Sequence, residues 1–70
     1  MSLVQVLPSG DGWSVRAEGQ ESRSFPTQAE AEQEGRRIAR ETGAEFQLHS
    51  ADGTIREKDS YGNDPSHIKG

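Results

Sequence analysis

Seventy residues, with Leu, Ile, Val and Phe supplying only 11 of them, make one small domain with a thin core and exclude a division into two cores. Twelve acidic against eight basic side chains leave a formal charge of −4, which argues against a general affinity for nucleic acid or anionic lipid, because phosphate binding needs positive charge gathered on one surface. There is no cysteine, so disulfides and most zinc sites are excluded, and no stretch approaches the roughly 20 apolar residues that cross a bilayer.

Leu3 to Leu7 is an apolar run with Val4 and Val6 on one side, and Pro8-Ser9-Gly10-Asp11-Gly12 follows as turn chemistry. The pair predicts a strand and a hairpin loop. Trp13 to Glu18 then alternates strictly, with Trp13, Val15 and Ala17 on one face and Ser14, Arg16 and Glu18 on the other, the pattern of a half-buried strand. Ser22 to Phe25 reads either as a short third strand or as an extended lead into a helix, with Phe25 facing the core.

Thr27-Gln28-Ala29-Glu30 is a capping box, in which the Thr27 hydroxyl accepts from the Glu30 N–H and the Glu30 carboxylate reaches back to Thr27. Gly43 supplies the stop signal, which places the helix at about residues 28–42. Glu30, Glu32 and Glu34 precede Arg36, Arg37 and Arg40, an order that complements the helix dipole and permits Glu32–Arg36 and Glu34–Arg37 pairs. Ala31, Gly35, Ile38, Ala39 and Thr42 form the inward stripe, small enough for close approach to a sheet, with Trp13 expected to fill the gap left at Gly35.

Ala44 to His49 alternates again with Phe46 and Leu48 inward, and Ser50-Ala51-Asp52-Gly53 carries the Asp-Gly hairpin signal. A tight loop at Asp52-Gly53 puts Ile55 on the face of Phe46 and Leu48, but continued alternation also turns Glu57 and Asp59 inward. Three resolutions are open: a sheet face already wet at that point, a bulge that reverses the register, or basic partners for the carboxylates such as the helix arginines or a partner subunit. The first is the expected one, since strands commonly outrun a small core. The whole predicts an α+β domain over residues 1–65, an antiparallel sheet of four to five strands in ββ(β)αββ order with one helix on one face, followed by a flexible tail at residues 66–70.

The segment Ile55 to Pro65, IREKDSYGNDP, ends in dense turn chemistry: Gly62 and Asn63 tolerate positive φ, Pro65 holds Asp64 extended, and Asn63 and Asp64 both close Asx turns. The plain reading is a chain-reversing turn that seats Tyr61 against the sheet edge. The functional reading is a partner-binding turn of Tyr61, Gly62, Asn63, Asp64 and Pro65, one aromatic anchor with a few hydrogen-bonding groups. With the Gly-Trp start of the second strand, the capped helix and the Asp-Gly hairpin, SYGNDP makes the chain resemble DUF2188, a family of small bacterial domains of unknown function. The resemblance implies the fold and a bacterial cytosolic origin; it implies no activity. The chain departs from it at Ser66-His67-Ile68, where family members run into proline-rich sequence before Lys-Gly.

Other chemistry finds little footing. Asp59, Asn63 and Asp64 lack the spacing of a calcium loop, and His49 and His67 stand apart with no cysteine beside them, so no metal and no cofactor is expected. Ser60, Asp64 and His67 supply the residue types of a hydrolytic triad but fall in one short turn and tail. Glu57 and Asp59, about 6–7 Å apart along a strand, lack an apolar cleft that would shift either pKa. The expectation is therefore a cytoplasmic, non-enzymatic interaction module that forms a homodimer or binds another protein through a sheet edge or the Tyr61 to Pro65 turn, self-association being the usual remedy for a thin core without disulfides. The alternative is a weak nucleic-acid-binding domain using Arg36, Arg37, Arg40, Arg56 and Lys58.

Overall fold

A computed structural model of the chain describes residues 2–62. Its order is β1 (Leu3–Ser9), β2 (Gly12–Ala17), β3 (Arg23–Phe25), α1 (Gln28–Thr42), β4 (Glu45–His49) and β5 (Ile55–Ser60). The short third strand forms, and the helix occupies the expected residues. The five strands make one sheet in the spatial order β3-β2-β1-β4-β5. Three neighbouring pairs are antiparallel, and the central pair, β1 with β4, is parallel. The sheet is thus mixed rather than wholly antiparallel. The cause is topological: α1 carries the chain back across the sheet, so β4 starts at the same end as β1 and runs beside it.

The helix begins where its cap requires. Thr27 is extended and its Oγ1 accepts from the Glu30 N–H at 3.2 Å, while Gly43 ends the helix at φ +68°, a left-handed conformation that glycine adopts without a Cβ penalty. Ala31, Gly35, Ile38 and Ala39 are buried against the sheet, as the sequence stripe predicts, but Thr42 is exposed and donates back to the Ile38 carbonyl at 2.8 Å. Phe46 and Val6, not Trp13, fill the space at Gly35. A Cβ there would lie 2.9 Å from Phe46 Cε1 and 3.0 Å from Val6 Cγ2. The core is completed by Val4, Val15, Ala44 and Leu48, with Trp13, Ala17, Phe25 and Tyr61 packed at its margin.

The β4–β5 hairpin departs from the expected register. Its loop has three residues, not two: the Gly53 N–H donates to Ser50 O at 2.9 Å, the Ser50 N–H donates to Thr54 O at 2.7 Å, and Gly53 takes φ +93°. A bulge then follows between Leu48 and His49, where His49 pairs with Ile55 and Leu48 with Glu57, leaving Arg56 as the extra residue. The longer loop turns Ile55 to the outer face, and the bulge restores the phase so that Glu57 and Asp59 face the helix side. Ile55 is therefore not in the core; it is 48% exposed. Among the described residues no helix is long and apolar enough to cross a membrane.

Candidate functional site

The two ends of the C-terminal hairpin place two sets of side chains on opposite faces of the sheet. On the helix face, Arg36 projects from α1 over the Phe46 ring, its guanidinium carbon 4.4 Å from the ring centroid. Its Nε donates to Glu32 at 2.9 Å, one turn earlier on the helix. Nη2 donates to Glu57 at 2.7 Å, and Nη1 to Asp59 at 2.6 Å and to the Tyr61 hydroxyl at 2.9 Å. One planar cation thus ties α1 to three successive same-face positions of β5 and its continuation. Burial works against the charge on Arg36, but the hydrogen bonds to Asp59, Glu32 and Tyr61 outweigh it and hold the guanidinium above its ordinary pKa.

The expected wet sheet face at Glu57 and Asp59 is corrected by this arrangement. Both carboxylates are about half exposed, but they end on the helix arginine, and the bulge acts on Ile55 instead. Held to the middle of α1 by Arg36, the chain then passes the helix C-cap. The Tyr61 N–H donates to Ala44 O at 3.1 Å, and the Gly62 Cα lies 3.8 Å from where a Cβ on Gly43 would stand. A Cβ on Gly62 would lie 2.9 Å from the Gly43 carbonyl oxygen, so glycine at 62 allows a close backbone approach.

Of the partner-binding turn, Tyr61 is half-buried against the core with its hydroxyl engaged, and Gly62 is exposed; Asn63, Asp64 and Pro65 lie outside the described residues, as do His67 and the tail. Ser60 closes β5 opposite Glu45. The basic residues do not converge on one surface. Arg36 is enclosed by three carboxylates. Arg37 pairs with Glu34 at 2.6 Å and Glu41 at 2.9 Å, and both hydrogen bonds raise its pKa. Arg37 in turn holds Glu34 below the usual carboxylate range, against the effect of burial, with Arg23 contributing at 3.3 Å. Arg40 lines a shallow groove of about 410 Å³ with Phe25, Gln33 and Arg37. Arg56, the bulge residue, donates to Gln28 Oε1 at 3.0 Å, while Lys58 stands opposite Gln47 on the other face.

Among the described residues that other face carries no helix. Register defines three rows of side chains across it. Leu3 and Glu45 make one row, and Arg16, Gln5, Gln47 and Lys58 the next, with Gln5 donating to Gln47 at 3.2 Å. The third holds Ser14, Leu7, His49 and Ile55. His49 is buried, and its Nδ1 lies 3.0 Å from Gly53 O, the contact of an N–H donor to a carbonyl. Its Nε2 is buried and has no hydrogen-bond partner among the described residues. Sequence reasoning missed this row because it assumed a two-residue loop. The signal was present in Ser50-Ala51-Asp52-Gly53, where Asp52 accepts from the Thr54 N–H at 3.0 Å and hydroxyl at 2.8 Å and glycine ends a three-residue loop. Those hydrogen bonds also hold Asp52 below its ordinary pKa. Among the described residues no group of three His, Cys, Asp or Glu side chains is placed to hold a metal ion.

Among the described residues, fold and surface together define an α+β domain with one helix, one sheet face covered by it and the other open. The chain belongs to the family described as an uncharacterised protein conserved in bacteria, DUF2188, whose model matches residues 4–61 and so reaches every element, all but the first residue of β1 included. No curated protein and no solved structure matches it.

Proposed function

We propose that the domain is a non-enzymatic protein-interaction module of the bacterial cytosol, and that its working surface is the uncovered face of the sheet. The observation that carries this reading is Ile55, a large apolar side chain that a three-residue loop and a bulge turn out of the core and onto the open face beside His49. Bulges commonly re-aim a side chain, and an isoleucine aimed at water has a use when another surface covers it. The acidic pair Glu57 and Asp59 supports the non-enzymatic part, since both carboxylates are committed to Arg36 and to holding β5. The Tyr61 turn fits the same reading as a fastening of the chain to the helix C-cap rather than as an aromatic anchor for a partner. Nucleic acid binding finds less support, because Arg36 and Arg37 already carry carboxylate partners.

Site-specific photo-crosslinking in the native bacterium tests the surface. A crosslinker at position 58, on the open face, is expected to trap discrete protein adducts, while one at position 33, on the exposed side of α1, traps none. Equal capture from both positions, or capture from position 33 alone, refutes the assignment.

A further inference from the structure

We infer that the occupant of the open face is a second copy of this chain, stacked sheet on sheet about a two-fold axis that runs across the strands and passes over Leu7, His49 and Ile55. The inference rests on the reading of the open face as the interaction surface and goes further by naming what covers it.

The sheet edges do not favour self-pairing. β3 has three residues. β5 is longer and exposed along its length, but it alternates Glu57 and Asp59 on the helix side with Lys58 on the outer side. Two β5 strands paired antiparallel about a two-fold axis keep each face with its own kind, because that axis stands perpendicular to the sheet. Acid would then oppose acid and base oppose base, which destabilises a cross-strand pair. The bulge and the edge lysine blunt the strand further.

The open face has the opposite property. Along the strands, the row of Ser14, Leu7, His49 and Ile55, in which Ile55 is the exposed large hydrophobic side chain, is flanked on one side by Arg16 and Lys58 and on the other by the hairpin turns that carry Asp11 and Asp52. All four charged residues are exposed. A two-fold axis along the strands would bring Arg16 over Lys58 of the second copy, since β2 and β5 lie symmetrically about the central β1–β4 pair. A two-fold axis across the strands instead keeps β2 over β2 and β5 over β5 and reverses their direction. Arg16 then meets Asp11 of the second copy, Lys58 meets Asp52, and Ile55 and Leu7 meet the same row of the second copy. Glu18 and Glu45 fall beyond the stacked region. Aligned packing of two sheets is a standard way to close an open face.

Four strands spaced about 4.8 Å and about 20 Å long give a footprint of roughly 400 Å² per copy. That is about half the ~800 Å² per partner of a standard interface, so the dimer is a weak one, expected to dissociate at high micromolar concentration or above. Sedimentation equilibrium of the full 70-residue chain, from low micromolar to millimolar concentration, tests this. The expected result is a monomer–dimer equilibrium whose dissociation constant rises roughly tenfold or more in Ile55→Glu, as for loss of a central contact. Arg16→Glu is expected to weaken the dimer and Arg16→Glu with Asp11→Lys in the same chain to restore it; circular dichroism verifies that each variant is folded. A chain that is monomeric throughout, or a dimer indifferent to Ile55→Glu and to the charge reversal, overturns the inference. If position 58 still captures a different protein in that case, the interaction reading stands without the second copy. If it captures nothing, both fall.

Discussion

Arg36 gathers more polar partners than any other side chain among the described residues, and Arg36→Ala measures how far β5 depends on it. Three carboxylates at 2.6 to 2.9 Å, the Tyr61 hydroxyl at 2.9 Å and the Phe46 ring at 4.4 Å all converge on one guanidinium that is 22% exposed. The carboxylates are a third to a half exposed, so each ion pair is discounted for solvent to about 0.5 kcal/mol. The ring contact adds about 0.5–1 kcal/mol and the hydroxyl about 0.5–1 kcal/mol. These contributions share one group and are not additive in full. The expected loss is about 2–3 kcal/mol, against the ~3–5 kcal/mol that a core of this size supplies. Arg36→Ala should therefore lose about half or more of its stability in urea unfolding followed by Trp13 fluorescence, and amide exchange should accelerate first in β5. Arg36→Lys, a point charge without the planar fork, should recover part of the loss but not all of it. A change below about 1 kcal/mol for Arg36→Ala, within the range of a single exposed ion pair, would refute the view that this residue fastens the hairpin.

Three further outcomes follow from the same geometry. Gly35→Ala should destabilise by about 1 kcal/mol in the same assay, because overpacking against buried Phe46 and Val6 costs more than the ~1 kcal/mol that alanine gains in a helix. Glu34 and Asp52 both have lowered carboxylate pKa values, so the stability they contribute is present above the ordinary carboxylate range near ~4 and is lost as pH falls through their folded values. Denaturation midpoints should hold steady near neutrality and drop on acidification below that range, and Asp52→Asn should flatten part of the drop. Duplex and single-stranded DNA should produce no shift in fluorescence anisotropy even at low salt, where the phosphate contribution is strongest, and saturable binding there would restore the arginine reading.

The sequence was legible where local chemistry and pattern agree. Thr27 and Gly43 bound the helix because each satisfies orphan backbone groups by itself, and Val4, Val6, Val15, Phe46 and Leu48 declare their face through alternation alone. The parallel β1–β4 pair was not legible, because strand order is set by where the helix returns the chain and no residue in β1 or β4 records it. Ile55 misled for a related reason. Its face depends on loop length and on one extra residue at Arg56, and a shift of one position turns every later side chain over. The carboxylates of β5 gave a real signal, an acidic alternation that called for basic partners, but Arg36 could be singled out from the helix arginines only once the sheet fixed which turn of α1 lies over Phe46. The site candidates divided along the same line: Tyr61 was identifiable as an anchored aromatic, whereas the row of Leu7, His49 and Ile55 exists only in three dimensions.

The most direct test of self-association through the open face is a dilution series followed by amide chemical shifts of the uniformly labelled full chain. Shifts that depend on concentration and cluster at Leu7, Ser14, Arg16, His49, Ile55 and Lys58, with the outer side of α1 unchanged, are the predicted result. Shifts confined to Gln33, Arg37 and Arg40, or a spectrum invariant from micromolar to millimolar concentration, would contradict it.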